Sequence, residues 1–178
     1  MRYANIIGCD TANGEGVRTS LFVSGCRRHC LGCFNADAQS FDYGEPYTKD
    51  VEQRILDQLA LPYIAGLSIL GGEPLDQSAS GKIDLLYLIA KAKDMGKTVW
   101  LWTGYTWEDV VEDGGAMSRG LISWVDVVVD GAYIEELRDI SLPFRGSSNQ
   151  RIIDVKRTID AGHVVLYSKY YDEVNADD

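Results

Sequence analysis

Short apolar runs alternate with longer amphipathic runs along this chain, and this alternation constrains its fold more than any other feature. The apolar runs have the length of buried strands, and the longer runs carry apolar residues at helical spacing. Strands separated by helices are typical of parallel βα units, so the sequence predicts an α/β fold. The predicted strands are Thr19–Ser24, Leu67–Leu70, Thr98–Trp102, Val125–Val129, Ile152–Val155 and Val164–Tyr167, and the predicted helices are Val51–Leu59, Ile83–Ala92 and Trp107–Val111.

Charge and composition argue against several classes of protein. The chain has 178 residues and a net charge of −10, which disfavours nucleic acid as a partner because phosphates attract Lys and Arg. No apolar stretch approaches the roughly 18 residues of a membrane span, and the first ten residues lack the apolar core of a signal peptide. We therefore expect a single cytoplasmic domain over residues 1–178, with an acidic tail at 173–178 that frays.

The stretch C-R-R-H-C-L-G-C contains Cys26, Cys30 and Cys33 in the spacing C-x3-C-x2-C. Three thiolates can bind three irons of a cubane iron–sulfur cluster and leave the fourth iron without a protein ligand. That open iron can bind a substrate, whereas an iron with full cysteine ligation usually only passes electrons. The spacing therefore favours a 4Fe-4S cluster with one open iron, in a reducing compartment.

Two other interpretations of the three cysteines remain open at this point. Residues at this spacing share one face of an α-helix, where they would be small buried hydrophobes. Gly25 and Gly32, which bracket the run, favour a loop instead. A zinc site with His29 or Cys9 as fourth ligand would make the chain a binding module without catalysis, although structural zinc sites more often contain two C-x2-C pairs.

Four motif loops each follow a predicted strand. The cysteine run follows the first strand, Gly71–Pro74 (G-G-E-P) the second, Thr103–Tyr105 the third and Asp130–Gly131 the fourth. Ligands of parallel α/β folds bind at the carboxyl ends of the strands. We therefore expect the four loops to surround one pocket.

Individual residues in these loops suit a ligand. Glu73 could accept hydrogen bonds from a ligand ammonium, and the glycines before it allow a close approach of backbone. Thr103 could hydrogen-bond an adenine ring between the aromatic neighbours Trp102 and Tyr105. The alternatives are a simple capped βα turn at Glu73 and ordinary core packing of the aromatic side chains.

Two polar stretches, Asp10–Arg18 and Arg145–Arg151, are either binding loops or solvated turns. Arg18 could pair with a carboxylate, as most surface arginines do. Cys9 stands apart from the other cysteines and is interpreted as a free thiol.

In this combination the motifs resemble those of the radical S-adenosylmethionine superfamily. Within it they resemble the glycyl-radical-enzyme activases that act on anaerobic ribonucleoside-triphosphate reductase. The resemblance rests on the cysteine run and G-G-E-P, preceded by D-T-A-N-G-E-G-V-R-T-S-L-F-V-S-G-C and followed by W-T-G-Y, V-D-G-A-Y and R-G-S-S-N-Q. It extends from Asp10 to about Asp154, and Gly32 stands where the superfamily often has an aromatic residue.

The resemblance implies both a chemistry and a set of site residues. The catalytic and metal-binding residues would be Cys26, Cys30 and Cys33, with S-adenosyl-L-methionine on the open iron. One-electron reductive cleavage would yield a 5′-deoxyadenosyl radical, which would take a hydrogen from a glycine of the reductase and leave a glycyl radical. The cofactor-binding residues would be Gly32, Phe34, Gly71, Gly72, Glu73, Thr103 and Asp130.

The resemblance also implies a fold and partners. An eight-stranded barrel typically takes about 250 residues, so we expect an incomplete (partial) βα barrel whose open side admits a protein substrate. Arg27 and Arg28 are expected to point outward, toward the reductase or a low-potential electron donor such as a flavodoxin. A pyruvate formate-lyase-type activase or a deazapurine synthase is the alternative within the superfamily, but W-T-G-Y and R-G-S-S-N-Q favour the reductase activase.

Overall fold

The computed structural model describes residues 1–171, which are built around one seven-stranded mixed sheet. Four strands run parallel in its centre, and the other three pair antiparallel at its two sides. The spatial order is β3-β1-β2-β4-β5-β6-β7. The predicted α/β class is confirmed. The strands are Arg2–Asp10 (β1), Val17–Val23 (β2), Glu45–Pro46 (β3), Ile64–Gly71 (β4), Thr98–Trp102 (β5), Val127–Asp130 (β6) and Arg151–Asp154 (β7).

The α-helices in the described residues pack their apolar side chains against one face of the sheet and form the main core with it. Side chains alternate between the two faces of each strand, and the set that includes Leu67, Leu101 and Val128 packs in the same core as buried helix residues such as Leu88. Thr48 accepts a hydrogen bond from the Val51 amide and so caps the first helix. The helices are Lys49–Leu59 (α1), Ala79–Asp94 (α2), Trp107–Glu112 (α3), Gly115–Trp124 (α4) and Val155–Ala161 (α5).

The predicted central strands and the three predicted helices are all present, with ends that shift by a few residues. Three elements of substantial length, β1, α4 and α5, were not predicted. The strand predicted at Val164–Tyr167 is wrong as an extended element, because it forms only an isolated bridge between Leu166 and Ile153. The predicted frayed tail at 173–178 lies outside the described residues.

The last strand departs from the expected parallel arrangement. β7 pairs antiparallel with β6, with Asp130 opposite Arg151. A parallel pair needs a crossover of a dozen or more residues, usually helical, that returns the chain to the other end of the sheet. The chain between β6 and β7 contains only the short 3-10 turn Glu135–Leu137 and reverses direction at the same end.

We call the sheet face that carries Ser68, Trp100 and Val129 the inner face. An aromatic cluster covers its β5–β7 side, in which the Trp100 ring centroid lies 5.3 Å from that of Phe144 and 6.4 Å from that of Tyr170. The end of the described chain is also tied to the loop between β1 and β2, because Tyr170 and Lys169 both contact the Glu15 carboxylate. The final described segment therefore acts as a cover for half of the inner face.

Arg18 lies beneath this cluster and is completely buried. Its guanidinium donates to the Ser68 hydroxyl (2.7 Å), the Leu67 carbonyl (2.7 Å) and both the carbonyl (2.9 Å) and hydroxyl (3.0 Å) of Thr98. Burial lowers the pKa of Arg18 to about 10, so the side chain stays charged at neutral pH. A carboxylate partner, the possibility that the sequence left open for Arg18, is not found within residues 1–171, where carbonyl and hydroxyl oxygens accept all of these bonds.

None of the helices in the described part of the chain has both the length and the apolar character that a membrane span requires.

Candidate functional site

The four motif loops meet at one edge of the sheet, where the parallel strands β2, β4, β5 and β6 end. The Glu73 amide donates to the Gly25 carbonyl at 2.8 Å, which joins the cysteine loop to the G-G-E-P loop. The Gly104 amide donates to Glu73 Oε2 at 2.7 Å, and the Gly131 amide donates to the Tyr105 carbonyl at 3.1 Å. Each loop therefore contacts the next, as the strand order predicts.

The three cysteines occupy an irregular loop, which rules out the helical interpretation. Cys26, Cys30 and Cys33 are half-buried free thiols. His29 has a φ of 48°, a left-handed conformation that a helix interior does not contain. The Cys33 amide donates to the Cys30 carbonyl at 3.3 Å and forms a turn between those two residues.

The zinc alternative finds no support in the described residues. Cys9 lies near the amino end of β2, opposite the cysteine loop, and its thiol contacts the Tyr63 hydroxyl at 4.0 Å. His29 Nδ1 contacts Gln39 Oε1 at 3.0 Å. Within residues 1–171, no three His, Cys, Asp or Glu side chains converge as a ready metal site. The cysteine loop therefore offers three free thiols on one short segment.

Gly72 allows the cysteine loop and the G-G-E-P loop to touch. A Cβ at this position would lie 2.6 Å from the Gly25 carbonyl oxygen and 2.8 Å from that of Ala38. Both are backbone atoms that cannot rotate away. The loops could not pack as they do with any larger residue here.

Gly72→Ala should therefore separate the two loops and destabilise the protein by about 1–3 kcal/mol, as overpacking typically does. The measurement is the free energy of unfolding in urea. Gly120→Ala is the matched control, because a Cβ there meets nothing within 4 Å and alanine favours the helix α4. Equal stability of the two variants would contradict the close contact.

Glu73 is a buried carboxylate at the centre of the site, with 1% of its surface exposed. Its Oε1 accepts from the Leu75 amide at 3.0 Å, and its Oε2 accepts from the Gly104 amide. Burial raises the pKa of Glu73 to about 7, although these amides and the Thr103 hydroxyl favour the ionised form. A cationic group beside Glu73 would relieve the cost of its buried charge.

This raised pKa makes a prediction about stability and pH. The folded protein holds a proton on Glu73 above the ordinary pKa of 4.5, where the unfolded chain has already lost it. The contribution of Glu73 to stability should therefore be fully present below pH 4.5 and fall by about 3 kcal/mol as the pH rises through 7. Urea unfolding at pH 5 and pH 7.5 measures the decline, which should flatten in Glu73→Gln. The same slope in that variant would assign the effect to another group.

The other predicted cofactor residues lie around the same edge. They differ in how exposed they are and in the contacts that they already make. Thr103 is buried and its hydroxyl accepts from the Tyr105 amide at 3.1 Å. Phe34 is 96% exposed, and the Glu135 carboxylate lies where a side chain at Gly32 would begin. Asp130 is buried and already bound by Arg151 at 2.6 Å and by the Trp107 amide at 2.7 Å.

Two buried polar atoms near this edge have no hydrogen-bond partner among the described residues. They are the hydroxyl of Ser24, which directly precedes the cysteine loop, and Oδ1 of Asn149. The Asn149 amide group donates to the Ala132 carbonyl at 2.8 Å, beside the Asp130–Gly131 loop. Such orphaned acceptors are the kind of group that a bound ligand satisfies.

A second set of contacts that holds the cysteine loop was not predicted from the sequence. Asp76 accepts from the Arg27 amide at 2.6 Å and from the Tyr105 hydroxyl at 2.8 Å. The Arg28 guanidinium lies 4.8 Å from the centre of the Tyr105 ring. Arg27 and Arg28 are exposed, as expected, but each also makes a contact that holds the cysteine loop in place. An acid two residues beyond G-G-E-P was the available signal.

Known proteins resemble this chain over most of its length. The model of the 4Fe-4S single cluster domain family matches residues 12–153. The anaerobic ribonucleoside-triphosphate reductase-activating protein of Escherichia coli (strain K12) is 37% identical over 152 residues, which cover 84% of this chain and 96% of the relative. The proteins of the same name from Salmonella typhi and Enterobacteria phage T4 are also 37% identical, over 84% and 85% of this chain and 96% and 93% of their own lengths.

Proposed function

Since this chain belongs to the family of anaerobic ribonucleoside-triphosphate reductase-activating proteins and contains a 4Fe-4S single cluster domain, we propose that it is a radical S-adenosylmethionine enzyme. Its substrate would be the glycyl radical subunit of the anaerobic reductase, on which it would generate the radical. The observation that carries the proposal is the contact between a loop of three free cysteines and the G-G-E-P loop at one sheet edge.

The residues at this edge fit both groups. Cys26, Cys30 and Cys33 offer three thiolates on one loop, which would hold a 4Fe-4S cluster with one iron open. Gly72 lets the G-G-E-P loop pack directly against the cysteine loop, and Glu73 is a buried carboxylate suited to an ammonium group. These two residues would hold the methionine end of S-adenosyl-L-methionine, with Gly71 beside them.

The rest of the site would serve the adenosyl end. Gly32 and Phe34 lie on the exposed part of the cysteine loop and would flank that group. Thr103 would take part through its contact with Glu73. Asp130 would act indirectly, because Arg151 and the Trp107 amide occupy its carboxylate. When bound, the cluster and S-adenosyl-L-methionine would supply one-electron cleavage to a 5′-deoxyadenosyl radical.

The fold suits a protein substrate. The chain would act as one catalytic domain, because a single sheet carries all four motif loops. Its parallel strands would form the wall of a partial βα barrel, and the exposed loop edge would admit a glycine-bearing segment of the reductase. Exposed Arg27 and Arg28 would lie at the entry for that subunit or for an acidic electron donor such as a flavodoxin.

The test is anaerobic reconstitution with iron and sulfide, followed by reduction and addition of S-adenosyl-L-methionine. We expect a brown protein that forms 5′-deoxyadenosine, and a glycyl radical signal in electron paramagnetic resonance (EPR) spectra when the reductase is added. Cleavage without a radical on the reductase would favour another small radical enzyme, such as a pyruvate formate-lyase-type activase or a deazapurine synthase. A colourless zinc protein without cleavage would overturn the proposal.

A further inference from the structure

Asp76 is a nearly buried carboxylate that joins three loops of the site. It lies in the 3-10 turn Pro74–Asp76 with 8% of its surface exposed. One carboxylate oxygen accepts from the Arg27 amide at 2.6 Å, and the other accepts from the Tyr105 hydroxyl at 2.8 Å. The Arg27 guanidinium also donates to the Asp76 carbonyl at 3.0 Å. The loops after β2, β4 and β5 are therefore fixed to one another at a single side chain.

The first of these bonds controls the backbone at Cys26. The Arg27 amide belongs to the peptide that follows Cys26, so the carboxylate sets the direction of that peptide. The next amide, of Arg28, points to Cys26 Sγ at 3.4 Å. Because Asp76 binds the Arg27 amide, that donor is withheld from the sulfur.

The second bond fixes the same segment from its other side. The Tyr105 hydroxyl is held by Asp76, and the Tyr105 ring packs under the Arg28 guanidinium. Burial and the bond to Asp76 raise the pKa of Tyr105 to about 12, so the phenol remains a hydrogen-bond donor at neutral pH. Residues 26–28 are thus held between two contacts that both depend on Asp76.

We propose that Asp76 is a positioning residue for the iron–sulfur cluster, which orients the Cys26 ligand and keeps the reduction potential of the cluster low. This inference rests on the proposed cluster at Cys26, Cys30 and Cys33. Hydrogen bonds to the ligand sulfurs and nearby charge set the potential of such clusters. Asp76 withholds one N–H from the Cys26 sulfur, and its carboxylate, which also pairs with the exposed Arg27 guanidinium at 3.5 Å, places a buried negative charge near that sulfur. Both effects disfavour the extra electron of the reduced cluster and so make it a stronger reductant.

Two substitutions separate the effect of the Asp76 charge from the effect of its hydrogen bonds. Asp76→Asn keeps the size and can still accept from the Arg27 amide, but it removes the charge. Asp76→Ala removes the charge and both side-chain bonds, while the bond from the Arg27 guanidinium to the main-chain carbonyl at this position remains possible. Asp37→Asn is the matched control, because Asp37 is an exposed acid close to the cysteines in sequence and its loss changes the net charge equally.

The experiment measures the reconstituted proteins without S-adenosyl-L-methionine, so that activity is not the readout. An EPR-monitored redox titration gives the potential, and a chelator assay gives the rate of iron release. We expect a more positive potential in Asp76→Asn. In Asp76→Ala we expect iron binding to be weaker by about tenfold, seen as faster release to the chelator, because loss of an outer partner of a metal ligand typically lowers metal affinity by about that factor or more. Asp37→Asn should match the wild type.

Hydrogen exchange of the segment 25–29 in the metal-free protein tests the loop contact independently. The Arg27 amide should exchange faster in Asp76→Ala than in the wild type. If Asp76→Ala does not fold, the potential of Asp76→Asn alone decides. A wild-type cluster with unchanged potential and iron release in the variants would overturn the role of Asp76 only. A wild type that assembles no cluster would overturn this role together with the proposed function.

Discussion

Cys30→Ala should abolish both iron binding and cleavage of S-adenosyl-L-methionine. Cys30 lies in the middle of the cysteine loop, and its thiol is one of only three there. Two thiolates and a methyl group cannot retain a cubane cluster with a single open iron, so electron transfer to the sulfonium would lose its source. After anaerobic reconstitution, the 5′-deoxyadenosine formed should fall to the level of a reaction without enzyme.

The control for this prediction is Cys9→Ser. Cys9 is exposed, lies near the opposite end of β2 and contacts Tyr63. Its replacement should leave the iron content, the colour and the cleavage rate at wild-type values. A Cys30→Ala protein that keeps its iron and its cleavage activity would show that the cysteine run is not the cluster site. A Cys9→Ser protein that loses iron would indicate a fourth ligand that the fold separates from the loop.

Arg18→Ala should cause the largest loss of stability of any substitution considered for this fold. It would open a cavity beneath Trp100 and leave the Leu67 and Thr98 carbonyls without their charged donor. A buried cavity and several unpaired acceptors together should cost about 3–5 kcal/mol. The free energy of unfolding in urea, measured on the metal-free protein, tests this value.

Two further variants test the reason for the effect. Arg157→Ala removes an exposed arginine from α5 and should change the stability by less than about 0.5 kcal/mol. Arg18→Met fills most of the volume but makes none of the hydrogen bonds, so it should remain clearly less stable than the wild type. An Arg18→Met protein as stable as the wild type would mean that the cost of burying the charge cancels its hydrogen bonds.

The sequence predicts the elements whose signals are local and strong. Thr98–Trp102 is found with the predicted bounds, because a β-branched and aromatic run is bounded by Lys97 and Thr103-Gly104. The strands and helices that were not predicted have weak local sequence signals. β1 contains Asn5, Gly8 and Cys9 and lacks clear alternation, so its pairing with β2 and β3 decides its structure. α4 contains two glycines and has no side-chain cap at its start.

The candidate site likewise has a part that the sequence predicts and a part that it does not. Its motif loops are predictable because strand order brings the ends of parallel strands to one edge. Contacts between distant loops are not predictable, since they depend on tertiary packing. Asp76 reaches the Arg27 amide across 49 residues of sequence, and Arg18 reaches Thr98 across 80. No local pattern distinguishes Arg18 from an ordinary surface charge, and only its place two residues beyond G-G-E-P marks Asp76.

The aromatic cover of the inner face determines when the fold can close during synthesis. Tyr170 meets Glu15 across 155 residues, so this closure cannot form until the end of the described chain has left the ribosome. Translation proceeds at about 5–20 residues per second, and β2, β4 and β5 emerge seconds earlier. The cysteine loop is thus exposed to the cell while Trp100 still lacks its cover. A nascent chain stalled after β6 would have all three thiols available and no aromatic cover over Trp100.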